Sequence, residues 1–218
     1  MTKNYTELVF LLDKSGSMNG LEKDTIGGYN AMLEKQKDVE GYAHVTTVFF
    51  NQEVELFHDR LPLSCVTPLS EKDYCVGGLT ALLDAIGTTI ERIHEIQKAE
   101  PQSKRSEKVI FVIVTDGLEN ASKRFSYSRL QNLIESQKRE LNWEFIFLGA
   151  NMDAIKEAGK FGIQADRSAS FVNDSVGIRT NFKTIGKAIS AIRTAPSGER
   201  LDSSWKNEIE TDYKNRSR

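Results

Sequence analysis

Three short apolar runs constrain this chain more than any other feature: Leu8-Val-Phe-Leu-Leu12, Val109-Ile-Phe-Val-Ile-Val114 and Phe145-Ile-Phe-Leu148. Each is continuous rather than alternating, which marks a strand buried on both faces, as in a parallel sheet covered by helices. They are short and rich in β-branched or aromatic residues, which argues against buried helices. The first run ends in Asp13, the second in Thr115-Asp116-Gly117 and the third in Gly149.

Between Val45 and Phe57 two further strand-like stretches, VTTVFF and EVELF, are separated only by Asn51-Gln52. A parallel crossover needs about a dozen residues or more, so this pair is an antiparallel hairpin. Glu53-Val-Glu-Leu-Phe57 alternates as an edge strand does. Helical periodicity fills the gaps. Leu82, Ile86, Ile90, Ile93 and Gln97 form one stripe, Leu130, Leu133, Ile134, Gln137 and Leu141 a second, and Ile178, Phe182, Ile185, Ile189 and Ile192 a third. Leu21–Glu40 is helical through Ile26, Tyr29, Met32 and Leu33. Gly27 and Gly28 inside it cost roughly 1 kcal/mol each against alanine, and a close approach of helix to sheet is the expected reason. A short strand near Ser168–Val172 precedes the last of these helices. The alternation predicts an α/β fold: a Rossmann-like three-layer α/β/α sandwich with a mostly parallel sheet and one antiparallel edge strand. This domain covers 1–195. Residues 196–218 read as a polar tail or a short docking helix, with Trp205, Ile209 and Tyr213 recurring every four residues.

Composition narrows the function. The net charge is −2, so no basic field draws the chain to nucleic acid or to a membrane surface. Cys65 and Cys75, with His44, His58 and His94, show no zinc-type spacing. A Cys65–Cys75 disulfide is sterically conceivable, and two free thiols are the plainer reading. The sequence shows no signal-type or membrane-length apolar run, so the expected location is cytoplasmic.

In an open α/β sheet, ligands bind outside the carboxyl ends of the strands, where strand order reverses. Asp13-Lys-Ser15-Gly-Ser17 directly follows the first buried strand, and Asp116 ends the second. If those strands are neighbours, both carboxylates share one crevice. Ser15 and Ser17, two apart across Gly16, can turn both hydroxyls to one point, with the glycine permitting a sharp bend. Carboxylates and hydroxyls without His or Cys match a hard cation, Mg²⁺ first, with Mn²⁺ or Ca²⁺ as alternatives. Plainer roles exist for each residue: Asp13 or Ser15 as a helix N-cap, and Asp116-Gly117 as an ordinary turn.

Asp13-x-Ser15-x-Ser17 resembles the metal-ion-dependent adhesion site of von Willebrand factor A domains. In that family a threonine from a loop before a long helix and an aspartate after a later strand complete the site. Here Gly77-Gly-Leu-Thr80 opens the Leu82–Gln97 helix and Asp116 follows the second buried strand. The resemblance therefore implies a cation held by Asp13, Ser15, Ser17, Thr80 and Asp116. Thr80 as the cap of its own helix is the plainer alternative. The resemblance covers roughly residues 5–195, and the stretch around Phe145–Ile155 is similar to small stand-alone bacterial or phage proteins of this type. It implies a protein-binding module rather than an enzyme, its metal completed by an acidic side chain of a partner protein. Asn19, Glu119 and Asn120 flank the site as candidate partner contacts, and Asp84 is expected at the surface or in a cap. A metal-dependent phosphoryl-transfer or hydrolytic enzyme is the competing class, but Ser15 stands where a D-x-D pattern needs its second carboxylate. A structural domain with an unused site is the third reading.

Overall fold

The apolar runs lie side by side in the middle of one sheet. The structure, a computed structural model, describes residues 5–196 and 198–217. Its strands are β1 (Tyr5–Asp13), β2 (Tyr42–Phe50), β3 (Val54–Pro62), β4 (Lys108–Thr115), β5 (Glu144–Ala150) and β6 (Ser168–Phe171), in the order β3-β2-β1-β4-β5-β6. Every neighbouring pair is parallel except β2 and β3, the antiparallel edge hairpin. The helices are α1 (Glu22–Lys37), α2 (Leu82–Ala99), α3 (Tyr127–Leu141), α4 (Ala154–Gly159), α5 (Ser175–Thr194) and α6 (Asn207–Arg216).

Strand pleating sends alternate side chains into two separate cores. Leu8, Phe10 and Leu12 pack with Tyr29 and Met32 of α1, Phe182 and Ile185 of α5 and Ile209 of α6. Val9 and Leu11 pack on the other face with Leu82 and Ile86 of α2, Leu130 and Ile134 of α3 and Ala154 of α4. Burial on both faces is why the central strands read as unbroken apolar runs. The α3 stripe stops short of its expected end, since Leu141 is 42% exposed. No described helix is long and apolar enough to cross a membrane.

The paired glycines of α1 need a different explanation from the one expected. A Cβ on Gly28 would lie 2.5 Å from Phe182 Cδ2, so Gly28 permits the approach of α1 to α5, a neighbouring helix, and not to the sheet. A Cβ on Gly27 would meet nothing within 4 Å. Residues 205–209 pack into the domain. Ile209 of α6 is buried in the α1–α5 core, Trp205 Nε1 donates to the Asp166 carbonyl at 2.8 Å, and Lys206 Nζ reaches the Ala165 and Ser168 carbonyls at 2.7 and 3.0 Å.

β1 runs through α1 to β2 on one side, and β4 runs through α3 to β5 on the other. Their carboxyl ends therefore flank the point where strand order reverses, and the crevice lies there.

Candidate metal centre

Asp13 closes β1 with its side chain held from two directions. Oδ1 accepts from the Ser15 amide at 2.7 Å, and Oδ2 accepts from Thr115 Oγ1 at 2.5 Å. The Asp13 carbonyl accepts from the buried Tyr74 hydroxyl. The chain then makes one 3-10 turn, Gly16–Met18, with Ser15 as its cap residue. Ser15 Oγ and Ser17 Oγ come to 3.1 Å of each other, and Ser17 Oγ donates to Asp116 Oδ1 at 2.5 Å. Gly16 does not adopt a left-handed conformation. It allows loop-to-loop approach: its amide donates to the Gly78 carbonyl at 3.0 Å, and a Cβ there would touch that oxygen at 3.4 Å.

Thr80 reaches the same place from the loop before α2. An atom placed where Gly117 lacks its Cβ would lie 2.7 Å from Thr80 Oγ1, 3.4 Å from Ser17 Oγ and 3.5 Å from Ser15 Oγ. Three hydroxyl oxygens thus converge on a small space that a side chain at 117 would fill. The β2–β3 turn places this loop. Asn51 Nδ2 donates to the Gly77 carbonyl at 2.9 Å, and Gln52 Oε1 accepts from the Leu79 amide at 3.0 Å. Gly78 has φ +84°, and a Cβ on it would lie 1.7 Å from Gln52 Oε1, so only glycine fits.

Thr80 does not cap α2. That work falls to the loop after β4. Leu83 N donates to Glu119 Oε2 at 2.9 Å, and Asp84 N to Ser122 Oγ at 3.0 Å. Glu119 Oε1 also accepts from the Ala121 and Ser122 amides at 2.9 and 2.7 Å. Asn120 Oδ1 accepts from the Thr80 amide at 2.8 Å, and the Thr80 carbonyl accepts from Asn120 N at 3.0 Å. Glu119 and Asn120 therefore turn their acceptors inward and hold Thr80 in place, leaving its hydroxyl for the cradle. Asn19 is exposed beside the Ser17 turn. Asp84 accepts from the Lys123, Arg124 and Phe125 amides at 2.8–2.9 Å, which pins the loop before α3 to α2 and caps neither helix.

Asn173, in the turn between β6 and α5, belongs to the site and carries no signal in the local sequence. Its Nδ2 donates to Asp116 Oδ2 at 2.9 Å. Its Oδ1 is buried with no hydrogen-bond partner among the described residues.

The electrostatics leave room for positive charge. Asp13 is 1% exposed, and burial pushes its carboxyl up to about 6. Burial raises Asp116 as well. Lys14, the nearest cation in sequence, pairs with Glu55 instead, and among the described residues no ion pair reaches either aspartate. Buried carboxylates without a protein counter-charge, beside converging hydroxyls, fit a hard divalent cation with oxygen ligands. No group of three or more His, Cys, Asp or Glu side chains converges among the described residues, so the donor set is mixed hydroxyl and carboxylate. Cys65 and Cys75 are free and exposed. His94 Nδ1 lies 3.0 Å from Gln137 Oε1, in a contact between helices.

These features define an α/β sandwich with an oxygen-lined cradle at the carboxyl ends of its two central strands. Its fold is that of von Willebrand factor A domains. The chain matches von Willebrand factor type A from Catenulispora acidiphila over 86% of its own length and 43% of that chain, with a TM-score of 0.57 and 14% identity. It matches the ArnB paralog VWA2 from Sulfolobus acidocaldarius over 85% of its length and 45% of that chain, with a TM-score of 0.53 and 17% identity. A structure of proximal thread matrix protein 1 from the mussel byssus, with a zinc-occupied MIDAS motif, matches over 85% of this chain and 46% of that one, with a TM-score of 0.54 and 14% identity. The chain thus spans less than half the length of each of these structures. The sequence matches no protein-family model and no curated relative.

Proposed function

We propose that the chain is a divalent-cation-dependent protein-binding module, and that it does not catalyse a reaction. The observation that carries this reading is the convergence of the Ser15, Ser17 and Thr80 hydroxyls on one space beside two buried carboxylates that no cation among the described residues neutralises. Ser15, Ser17 and Thr80 would hold the ion through their hydroxyls, and Asp13 and Asp116 directly or through water. Mg²⁺ suits this donor set best, and Mn²⁺ or Ca²⁺ uses the same oxygens. The ion would supply an electrophilic position for an acidic side chain of a partner protein. Around that position Leu79 and Leu118 stand 56% and 54% exposed, with Asn19 and Asn120 as exposed polar neighbours and Glu119 half-buried behind them. Such a module needs neither nucleophile nor general base.

The test is thermal unfolding of metal-stripped protein with and without excess Mg²⁺, Mn²⁺, Ca²⁺ or Zn²⁺, for wild type and Asp13→Ala. A cation at about a hundred times its Kd adds roughly 2.7 kcal/mol, which is about 5–10 °C for a domain of this size. The expected result is a shift in wild type that disappears in the variant. No shift with any of the cations would sink the reading. Binding of a captured partner that persists unchanged in EDTA would remove the acidic-ligand part of it.

A further inference from the structure

On the flank of the domain, α1 and α5 enclose an open groove of about 670 Å³. Its floor is made of small and apolar residues, among them Gly27, Ala31, Met32 and Phe182. A row of three cations borders it on α5, and one lysine stands at each end of it on α1. Lys23, Gly27, Ala31 and Lys35 recur every four residues on α1, and Arg179, Lys183 and Lys187 every four on α5. Five cationic side chains line the groove against the single carboxylate of Asp24, in a chain whose net charge is −2.

Gly27 is the informative residue. A glycine inside a helix is unfavourable, and neighbours that would clash with a side chain are the usual reason for one. Gly28 has that reason in Phe182, and Gly186 in Met32, which a Cβ would approach to 3.3 Å. Gly27 has none, since a Cβ there would enter the open groove. Its missing side chain keeps the groove open where another backbone would pass. The cations are not buried in internal ion pairs either. Lys183 and Lys187 share the one carboxylate of Glu208, with side chains 58% and 59% exposed. Arg179 is 3.7 Å from Asp24 and 63% exposed, and Lys23 is 3.5 Å from Glu71 and 82% exposed. Pairs this exposed hold their cations weakly and leave them free to change partners.

We infer that the α1–α5 groove is a second binding surface, which receives an amphipathic helix of a partner protein with acidic residues along its edges. The concave shape, the small-residue floor, the row of cations on α5 and the lysines at both ends of the α1 wall fit a helix lying between α1 and α5. The stretch from Lys23 to Lys35 is about 18 Å of helix, or about three turns, by the rise per residue. Carboxylates four residues apart on the incoming helix match the spacing of Arg179, Lys183 and Lys187. The surface uses no residue of the cation cradle, so it operates with the cradle empty.

The probe is a fluorescent helical peptide of about four turns with an alanine-leucine stripe edged by glutamates at i and i+4, compared with the same peptide carrying lysine for glutamate. Both are titrated into the full chain in EDTA. The glutamate peptide is expected to bind, to weaken with added salt, and to shift the amide resonances of Gly27, Ala31 and Gly186; the lysine peptide is expected not to bind. Lys183→Glu with Lys187→Glu should weaken binding at least about tenfold, and Gly27→Leu should abolish it. Gly27→Ala should raise Tm, since its Cβ would meet nothing, and that rise would show that the glycine at 27 is not needed for folding. No binding of the glutamate peptide, equal binding of both peptides, or full binding by Gly27→Leu overturns the proposal. So does lysine-dependent sedimentation with phosphatidylserine vesicles in the absence of peptide binding, which would make the surface a membrane contact.

Discussion

Asn173 Nδ2 donates to Asp116 Oδ2 at 2.9 Å, which ties the turn before α5 to the carboxylate at the end of β4. Ser17 holds the other oxygen of the same carboxylate at 2.5 Å. Asp116 is thereby aimed by a residue from the first strand's loop and by one from the last strand's turn. A carboxylate that meets a cation is only as well placed as the groups that orient it.

Replacing Asn173 with alanine removes one of these holds and leaves the strands untouched. Cation affinity should fall about 10- to 100-fold, the usual effect of losing a group that orients a metal ligand. Calorimetric titration with Mn²⁺ measures it. An affinity equal to wild type would show that Ser17 alone suffices to orient Asp116.

Gly117→Ala tests the cradle by filling it. The new methyl group would sit 2.7 Å from Thr80 Oγ1 and within 3.5 Å of the Ser15 and Ser17 hydroxyls, in the space where they converge. Cation-dependent stabilisation should vanish while circular dichroism stays that of wild type. A variant that is still stabilised by Mg²⁺ as strongly as wild type would place the ion elsewhere.

Glu119 holds α2 and the cradle loop together. Its carboxylate accepts from the amides of Leu83, Ala121 and Ser122 and from the Ser122 hydroxyl. Glu119→Ala should cost about 1–3 kcal/mol, since it leaves the Leu83 amide at the start of α2 and the Ser122 amide in the loop without their acceptor. The loss should appear in urea unfolding with and without cation. If stability is unchanged but partner binding falls, Glu119 acts at the surface and not as a brace.

His58 makes stability depend on pH. It is buried with Nδ1 3.0 Å from Thr47 Oγ1, which in turn lies 2.5 Å from the Tyr29 hydroxyl. Burial lowers its pKa below the ordinary 6.5, outweighing the nearby Asp73 carboxylate. The unfolded chain then binds a proton at a pH where the folded chain does not. The contribution of neutral His58 is therefore fully present above about 6.5 and declines as pH falls through its folded value. Wild type should lose more stability than His58→Gln between neutral and mildly acidic pH. Equal losses would show that His58 titrates as freely folded as unfolded.

Local patterns carried much of this protein. Leu8–Leu12 and Val109–Val114 announced central strands because residues buried on both faces leave no polar alternation. Asn51-Gln52 announced the antiparallel hairpin because two residues cannot support a crossover. The stripe from Ile178 to Ile192 announced α5, whereas the recurrence of Trp205, Ile209 and Tyr213 left a polar tail and a short helix both open, and the structure has α6 there. Asp13, Ser15, Ser17 and Asp116 were legible as one oxygen-rich crevice because they sit directly after strands. What required the tertiary structure was every relation between loops distant in sequence. Sheet order brings Asn173 to Asp116, across 57 positions, and the β2–β3 turn to the Gly77–Thr80 loop. Glu119, read as a flank for a partner, is recruited as the cap of α2, which frees Thr80 from that role. Gly28 faces Phe182 of α5 and not the sheet, and Gly27 faces open space. The physical reason is the range of the forces. Burial periodicity and turn geometry are written within a few residues, whereas hydrogen bonds between loops depend on which strands become neighbours, and only the packed sheet decides that.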